Sequence, residues 1–184
     1  RQPSRARQQR RRSADGGGSQ RGDPRRLSER VGCEHRRNKH RQRDHRQAVT
    51  AAQEALATLP DAPALLDLLG QAQLGTQEYQ QAMSTYRKLV TAVPNSPEPH
   101  LRIAAVHLAQ KDRAAARSSL RRALEVAPDL LPAQIQLVDL ALADNNTREA
   151  LALARGVQRA RPKEATGSLL EARVHESQRT WSAA

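Results

Sequence analysis

Apolar residues recur three and four apart along most of this chain, and the stretches that carry the pattern come in pairs. Leu, Ala, Val and Ile mark one face over about 64–74, 78–92, 98–110, 113–127, 132–144 and 147–161, the spacing of an amphipathic α-helix. Polar or small residues fill the joins, and Asp112 and Thr147 suit helix starts. Asp144-Asn145-Asn146 predicts a turn, so Asn145-Asn146-Thr147 is turn chemistry before it is a glycosylation tripeptide. The structural unit is a helix hairpin.

The hairpins recur at a fixed interval. Pro60, Pro94, Pro128 and Pro162 are 34 residues apart, and Ala48, Ala82, Ala116, Ala150 and Ala184 keep the same step. Since Pro averages ~5% of residues, three further prolines on a preset spacing arise by chance with a probability on the order of 10⁻⁴. Each Pro ends its hairpin by withholding a backbone donor and crowding the preceding turn. Small residues mark where helix axes approach closely: Gly70 and Ala104 on first helices, Ala82, Ala116 and Ala150 on second helices.

These residues resemble the tetratricopeptide repeat, in which a Leu-Gly pair, an aromatic, Ala, a second aromatic, Ala and a closing Pro recur at this period. The first unit has Leu66, Leu69-Gly70, Tyr79, Ala82, Tyr86 and Pro94. The second has Ile103-Ala104, Ala116, Leu120, Ala123 and Pro128, and the third Leu137-Val138, Ala150, Ala154, Val157 and Pro162. The resemblance implies an all-α, right-handed superhelical solenoid, with repeats at 63–96, 97–130 and 131–164. Residues 45–62 form the second helix of a partial repeat before them, and 165–184 a partial repeat after them. In that last unit Leu169, Leu170 and Ala172 continue the apolar stripe, and Trp181 falls where a second helix should start. The chain is expected to be a fragment of a longer array.

Charge divides the chain. Residues 1–46 hold 16 of the 31 Lys and Arg and 5 of the 19 Asp and Glu, a net charge of +11, which leaves +1 for the remainder. Leu27 and Val31 are the only large aliphatics of the basic stretch, so residues 1–44 are expected to be disordered. The first helix that should precede Ala48 would fall on Glu34 to Arg41, which has no apolar face. Three explanations stand: sequence foreign to the repeat, such as an out-of-frame or misjoined translation; a solvated tail; or a nucleic-acid arm placing Arg11, Arg12, Arg25, Arg26, Arg36 and Arg37 against phosphates. Patterning favours the first, and no aromatic is interleaved for base stacking.

No catalytic, cofactor or metal constellation is expected. His100, His107 and His175 sit on separate first helices with no orienting partner. His35, His40 and His45 recur at intervals of five, which do not bring them to one helix face, and no second Cys follows Cys33; Cys33 also lacks the apolar segment that lipidation needs. Arg21-Gly22-Asp23 is a chance match to an adhesion tripeptide. No apolar run reaches the ~20 residues of a membrane span.

What remains is a protein-interaction scaffold, with a nucleic-acid-binding protein as the alternative. The resemblance implies that first helices line a concave groove for a protein or peptide partner. It would present Asp67, Gln71 and Leu74, then Glu98, Leu101, Ala105 and Leu108, then Ile135, Asp139 and Leu142. This strip is apolar with a few acids, and it lacks the Lys and Asn residues with which chaperone-binding members hold a terminal carboxylate. The Ala/Leu/Arg-rich style and the joins Pro94 to Pro99 and Ala127 to Pro132 also look like the long bacterial repeat proteins that accompany PEP-CTERM/exosortase sorting. That likeness implies a periplasmic or envelope setting and exopolysaccharide export; without it, a cytoplasmic one.

Overall fold

The computed structural model describes residues 24–182, with side chains described from His40 to Gln178. Among the described residues there are eight helices and no strand: α1 (Pro24–Thr58), α2 (Pro63–Gly75), α3 (Tyr79–Ala92), α4 (Glu98–Ala109), α5 (Arg113–Val126), α6 (Leu131–Ala143), α7 (Thr147–Ala160) and α8 (Thr166–Ser182). Residues from Gln42 onward form one compact unit, and α2 to α7 begin and end within one residue of the sequence expectation.

Two elements run further than expected. The unstructured stretch read at 1–44 lies outside the described residues as far as 23; from Pro24 the backbone is helical. Arg, Gln and Glu are good helix formers even where they offer no apolar face, and Pro suits a first helical position. The side chains of His40 to Asp44 are all exposed, and Ala52, at 1% exposure, is the first fully buried residue that the structure describes. At the other end, α8 continues through Trp181, which therefore lies in the final turn of a first helix rather than at the start of a second.

The turns explain why the hairpins repeat so evenly. Gln77, Lys111 and Asn145 all adopt positive φ, at 66°, 63° and 59°, and they are 34 residues apart. Each follows the C-cap of a first helix and lets two backbone amides turn back onto it. Glu78 N–H reaches Gln73 O at 2.8 Å and Gln77 N–H reaches Leu74 O at 3.1 Å, with the same pair of bonds after α4 and α6. Carbonyls that a helix end leaves orphaned are satisfied in this way. The next helix starts at once: Asp112 accepts from Ala115 N–H at 2.9 Å. Before α7 the capping acceptor is Asn146, which takes Glu149 N–H at 3.2 Å, while Thr147 is the first helical residue.

Cores are shared between neighbours. Leu66, Ala82, Met83, Tyr86 and Leu89 of the first repeat pack with Val106 of the second. Ala104, Ala116, Leu120 and Ala123 of the second pack with Ala133, Leu137 and Leu140 of the third. Val138, Ala141, Ala150, Ala154 and Val157 of the third then pack with Leu170 and Val174 on α8. Each large aliphatic so buried contributes roughly 1.5–3 kcal/mol before ordering costs, and stability accumulates along the stack.

Gly70 shows how tightly the first hairpin closes. A Cβ there would lie 2.4 Å from Cε1 of Tyr86, whose ring is fully buried. Gly75, which the sequence did not single out, is equally close to α1: its Cβ would meet the His45 ring at 2.6 Å.

Candidate partner-binding face

The first helices α2, α4, α6 and α8 place residues 34 apart at equivalent positions. One such row is Asp67, Leu101, Ile135 and Leu169; another is Gln71, Ala105, Asp139 and Arg173; a third begins with Leu74, Leu108 and Leu142.

The acids of this face are not free. Asp67 Oδ1 accepts from Arg102 Nε at 2.8 Å and its Oδ2 from Arg102 Nη2 at 3.3 Å. Gln71 Nε2 donates to the same Oδ2 at 2.7 Å, and Glu98 pairs with Arg102 Nη2 at 2.9 Å. Asp139 pairs with Arg173. Partly exposed pairs of this kind stabilise by only about 0–1 kcal/mol each, but they cancel charge locally. Burial by itself would lower the Arg102 pKa; the hydrogen bond and charge of Asp67, with Glu98, raise it overall. The apolar rows give no hint of Arg102 and Arg173, but the spacing does. Arg102 lies 35 residues after Asp67 and Arg173 lies 34 after Asp139, so each acid meets a base one repeat on.

The apolar members divide into two groups. Leu74, Leu101, Ile135 and Leu142 are half-buried because they also pack against the cores, and Ala105 is half-buried as well. Leu108 is 36% exposed, while Leu169, in line with Leu101 and Ile135, is 66% exposed. Leu68 is 48% exposed but belongs to none of these rows, since its equivalents in later repeats are Arg102, Gln136 and Leu170. Extending the row of Leu101 and Ile135 by one repeat reaches Leu169, which the three complete repeats alone do not include.

The repeat-signature residues lie elsewhere. Ala82, Tyr86, Ala104, Ala116, Leu120 and Ala150 are fully buried, and Tyr79 packs at the edge of the first core. Pro94, Pro128 and Pro162 are exposed at the joins. The Tyr86 hydroxyl is buried without a hydrogen-bond partner; burial, then the Asp67 charge, pushes its pKa well above the usual phenol range.

The histidines do not converge. His175 is exposed and His45 sits beside Gly75, while the side chains of Cys33 and His35 lie outside the described residues. Among the described residues no three potential metal ligands cluster, and no described helix is long and apolar enough to cross a membrane. His100 and His107, on α4, face the second helices α3 and α5 around a cleft of about 220 Å³.

A row of helix hairpins with common turn geometry and shared cores defines a helical-repeat protein. Two models described as tetratricopeptide repeat match residues 38–97 and 97–130, so the chain belongs to the tetratricopeptide repeat family. It is similar to the crystal structure of MamA protein, with 17% identity over 76% of each chain and a TM-score of 0.58. It is also similar to a thermophilic TPR protein of Thermus thermophilus, with 22% identity over 71% of each chain and a TM-score of 0.57. YrrB, described as a TPR protein with an unusual peptide-binding site, matches at 17% identity over 74% of this chain and 71% of its own, with a TM-score of 0.53. The fold shared with these structures is the right-handed solenoid of hairpins. No curated protein sequence matches the chain.

Proposed function

We propose that the chain is an interaction scaffold that holds an apolar segment of a protein partner along its first helices. The observation that carries this reading is the pairing of Asp67 with Arg102 and of Asp139 with Arg173. With these acids cancelled, the face offers chiefly aliphatic side chains: Leu101, Leu108, Ile135 and Leu142, extended by Leu169. Burying such side chains against an apolar helix or extended segment is the general basis of groove recognition. Family membership supports the same class, since tetratricopeptide repeat proteins are typically scaffolds and at least one structural neighbour is described by its peptide-binding site. The envelope setting rests on the join motifs alone, and the nucleic-acid alternative on the basic stretch alone.

The test uses peptides selected from a displayed random library against the whole chain. Selected sequences should be rich in Leu, Ile and Met. Leu108→Asp with Leu169→Asp should weaken their binding at least about tenfold, because these two aliphatics are the most exposed of the strip. Helical content should be unchanged in that double variant, whereas Leu101→Asp and Ile135→Asp would also disturb the cores they touch. Undiminished binding by Leu108→Asp/Leu169→Asp would move the partner to the second-helix side.

A further inference from the structure

The clefts between successive second helices are built from equivalent positions yet differ in chemistry. The first, between α1, α2 and α3, is lined among others by Gln53, Leu56, Leu69, Gln73, Thr85 and Lys88. Counting 34 residues on gives Arg87, Val90, Ile103, His107, Ser119 and Arg122, which line the second cleft, between α3, α4 and α5, together with Met83 and His100.

In the first cleft the inner polar pair is satisfied: Thr85 Oγ1 donates to Gln73 Oε1 at 2.8 Å. In the second, Ser119 turns away and donates to its own helix at Ala115 O, at 3.0 Å. His107 Nδ1 is then buried without a partner. Leaving such a group unpaired is unfavourable, so a polar atom supplied from outside would complete the site.

Charge says which kind of atom. Arg87 and Arg122 stand at the rim, and among the described residues neither forms an ion pair. No acid lines the cleft, whose wall is otherwise Met83, Val90 and Ile103. Guanidinium groups favour carboxylates through charge-assisted, paired hydrogen bonds, while the aliphatic wall favours a ligand that is apolar beyond its charged end.

We infer that the cleft between α3, α4 and α5 binds a short branched aliphatic carboxylate, held by Arg87 and Arg122 with one oxygen accepting from His107 Nδ1 and its alkyl group against Met83, Val90 and Ile103. The site lies on the second-helix side, uses none of the residues of the proposed partner face, and stands or falls separately from it. A cleft of about 220 Å³ has room for such an acid in place of several waters.

Isovalerate, acetate and inorganic phosphate are titrated into the full chain, with binding read by calorimetry and by the His100 and His107 ring resonances. Isovalerate should bind at one site, at least about fivefold more tightly than acetate, since its extra carbons bury apolar surface, and more tightly than phosphate. Arg87→Gln with Arg122→Gln should weaken it at least about tenfold. His107→Gln with Ser119→Thr copies the satisfied pair of the first cleft, so it should fold normally and lose the site. Equal affinity for all three anions would show a bulk charge effect only and overturn the assignment. Isovalerate binding that survives either double variant, or that leaves both histidine resonances unmoved, would do the same.

Discussion

The first and second repeats carry the same backbone, including the positive-φ turn residue, but solve their packing differently. Where the first sets Gly70 against the ring of Tyr86, the second sets Ala104 against Leu120, both fully buried. Where the first pairs Gln73 with Thr85, the second leaves His107 Nδ1 unpartnered. Where the first buries Leu66, the second has half-buried His100. The fold therefore requires complementary volume and closed turns at these positions, not particular residues, and the second repeat departs from the simplest polar solution where it gathers positive charge.

Volume should give the largest effect. Gly70→Ala puts a methyl 2.4 Å from Tyr86 Cε1, an overpacking that should cost about 1–3 kcal/mol, read by urea denaturation. Adding Tyr86→Leu transplants the second repeat's pair into the first. The double variant should be more stable than the sum of the two single changes predicts, because residues in contact couple. Strict additivity would show that the two solutions are not interchangeable.

The polar difference should be smaller and of opposite sign. His107→Gln/Ser119→Thr, free of ligand, should stabilise the chain by about 1 kcal/mol by satisfying a buried group. For a domain of this size that is roughly 2–4 °C in Tm. A loss of stability would mean that the imidazole's packing outweighs its missing hydrogen bond.

These contrasts also show what could be read from the chain. Helix class and the bounds of α2 to α7 were legible because Pro and Ala recur at 34 residues and each of these helices has an apolar face. The helical backbone from Pro24 carries no such signal, because helix propensity needs no apolar face. On the partner face the rows of residues were legible but their state was not: Asp67 and Asp139 read only as a few acids in an apolar strip, because the bases that pair with them are remote in sequence. Leu101 and Ile135 read as surface residues because periodicity places a side chain on a face without saying how deeply a neighbouring repeat covers it. His107 could not be told from an ordinary packed histidine, since its distinction is a hydrogen bond that Ser119 makes elsewhere.

The smallest expected effect is a pH dependence confined to the second repeat. His100 is surrounded by Arg87 on α3, His107 on its own helix and Arg122 on α5, with the Glu125 charge acting on it from α5. Burial, then the Arg122 charge, lower its pKa below the usual histidine value, and Glu125 only partly opposes them. Below about pH 6.5 the unfolded chain therefore takes up this proton before the folded one, and stability falls as pH falls through that range. His100→Leu copies Leu66 and removes the titration. The stability difference between the natural chain and this variant, measured from pH 7.5 to 5, should shift against the natural chain as the solution is acidified. Carboxylates elsewhere titrate in both chains and cancel to first order. A flat difference would remove His100 as the cause. Saturating isovalerate should reduce the shift, because a carboxylate placed beside His100 favours its charged form; an unchanged shift would put the acid somewhere other than this cleft.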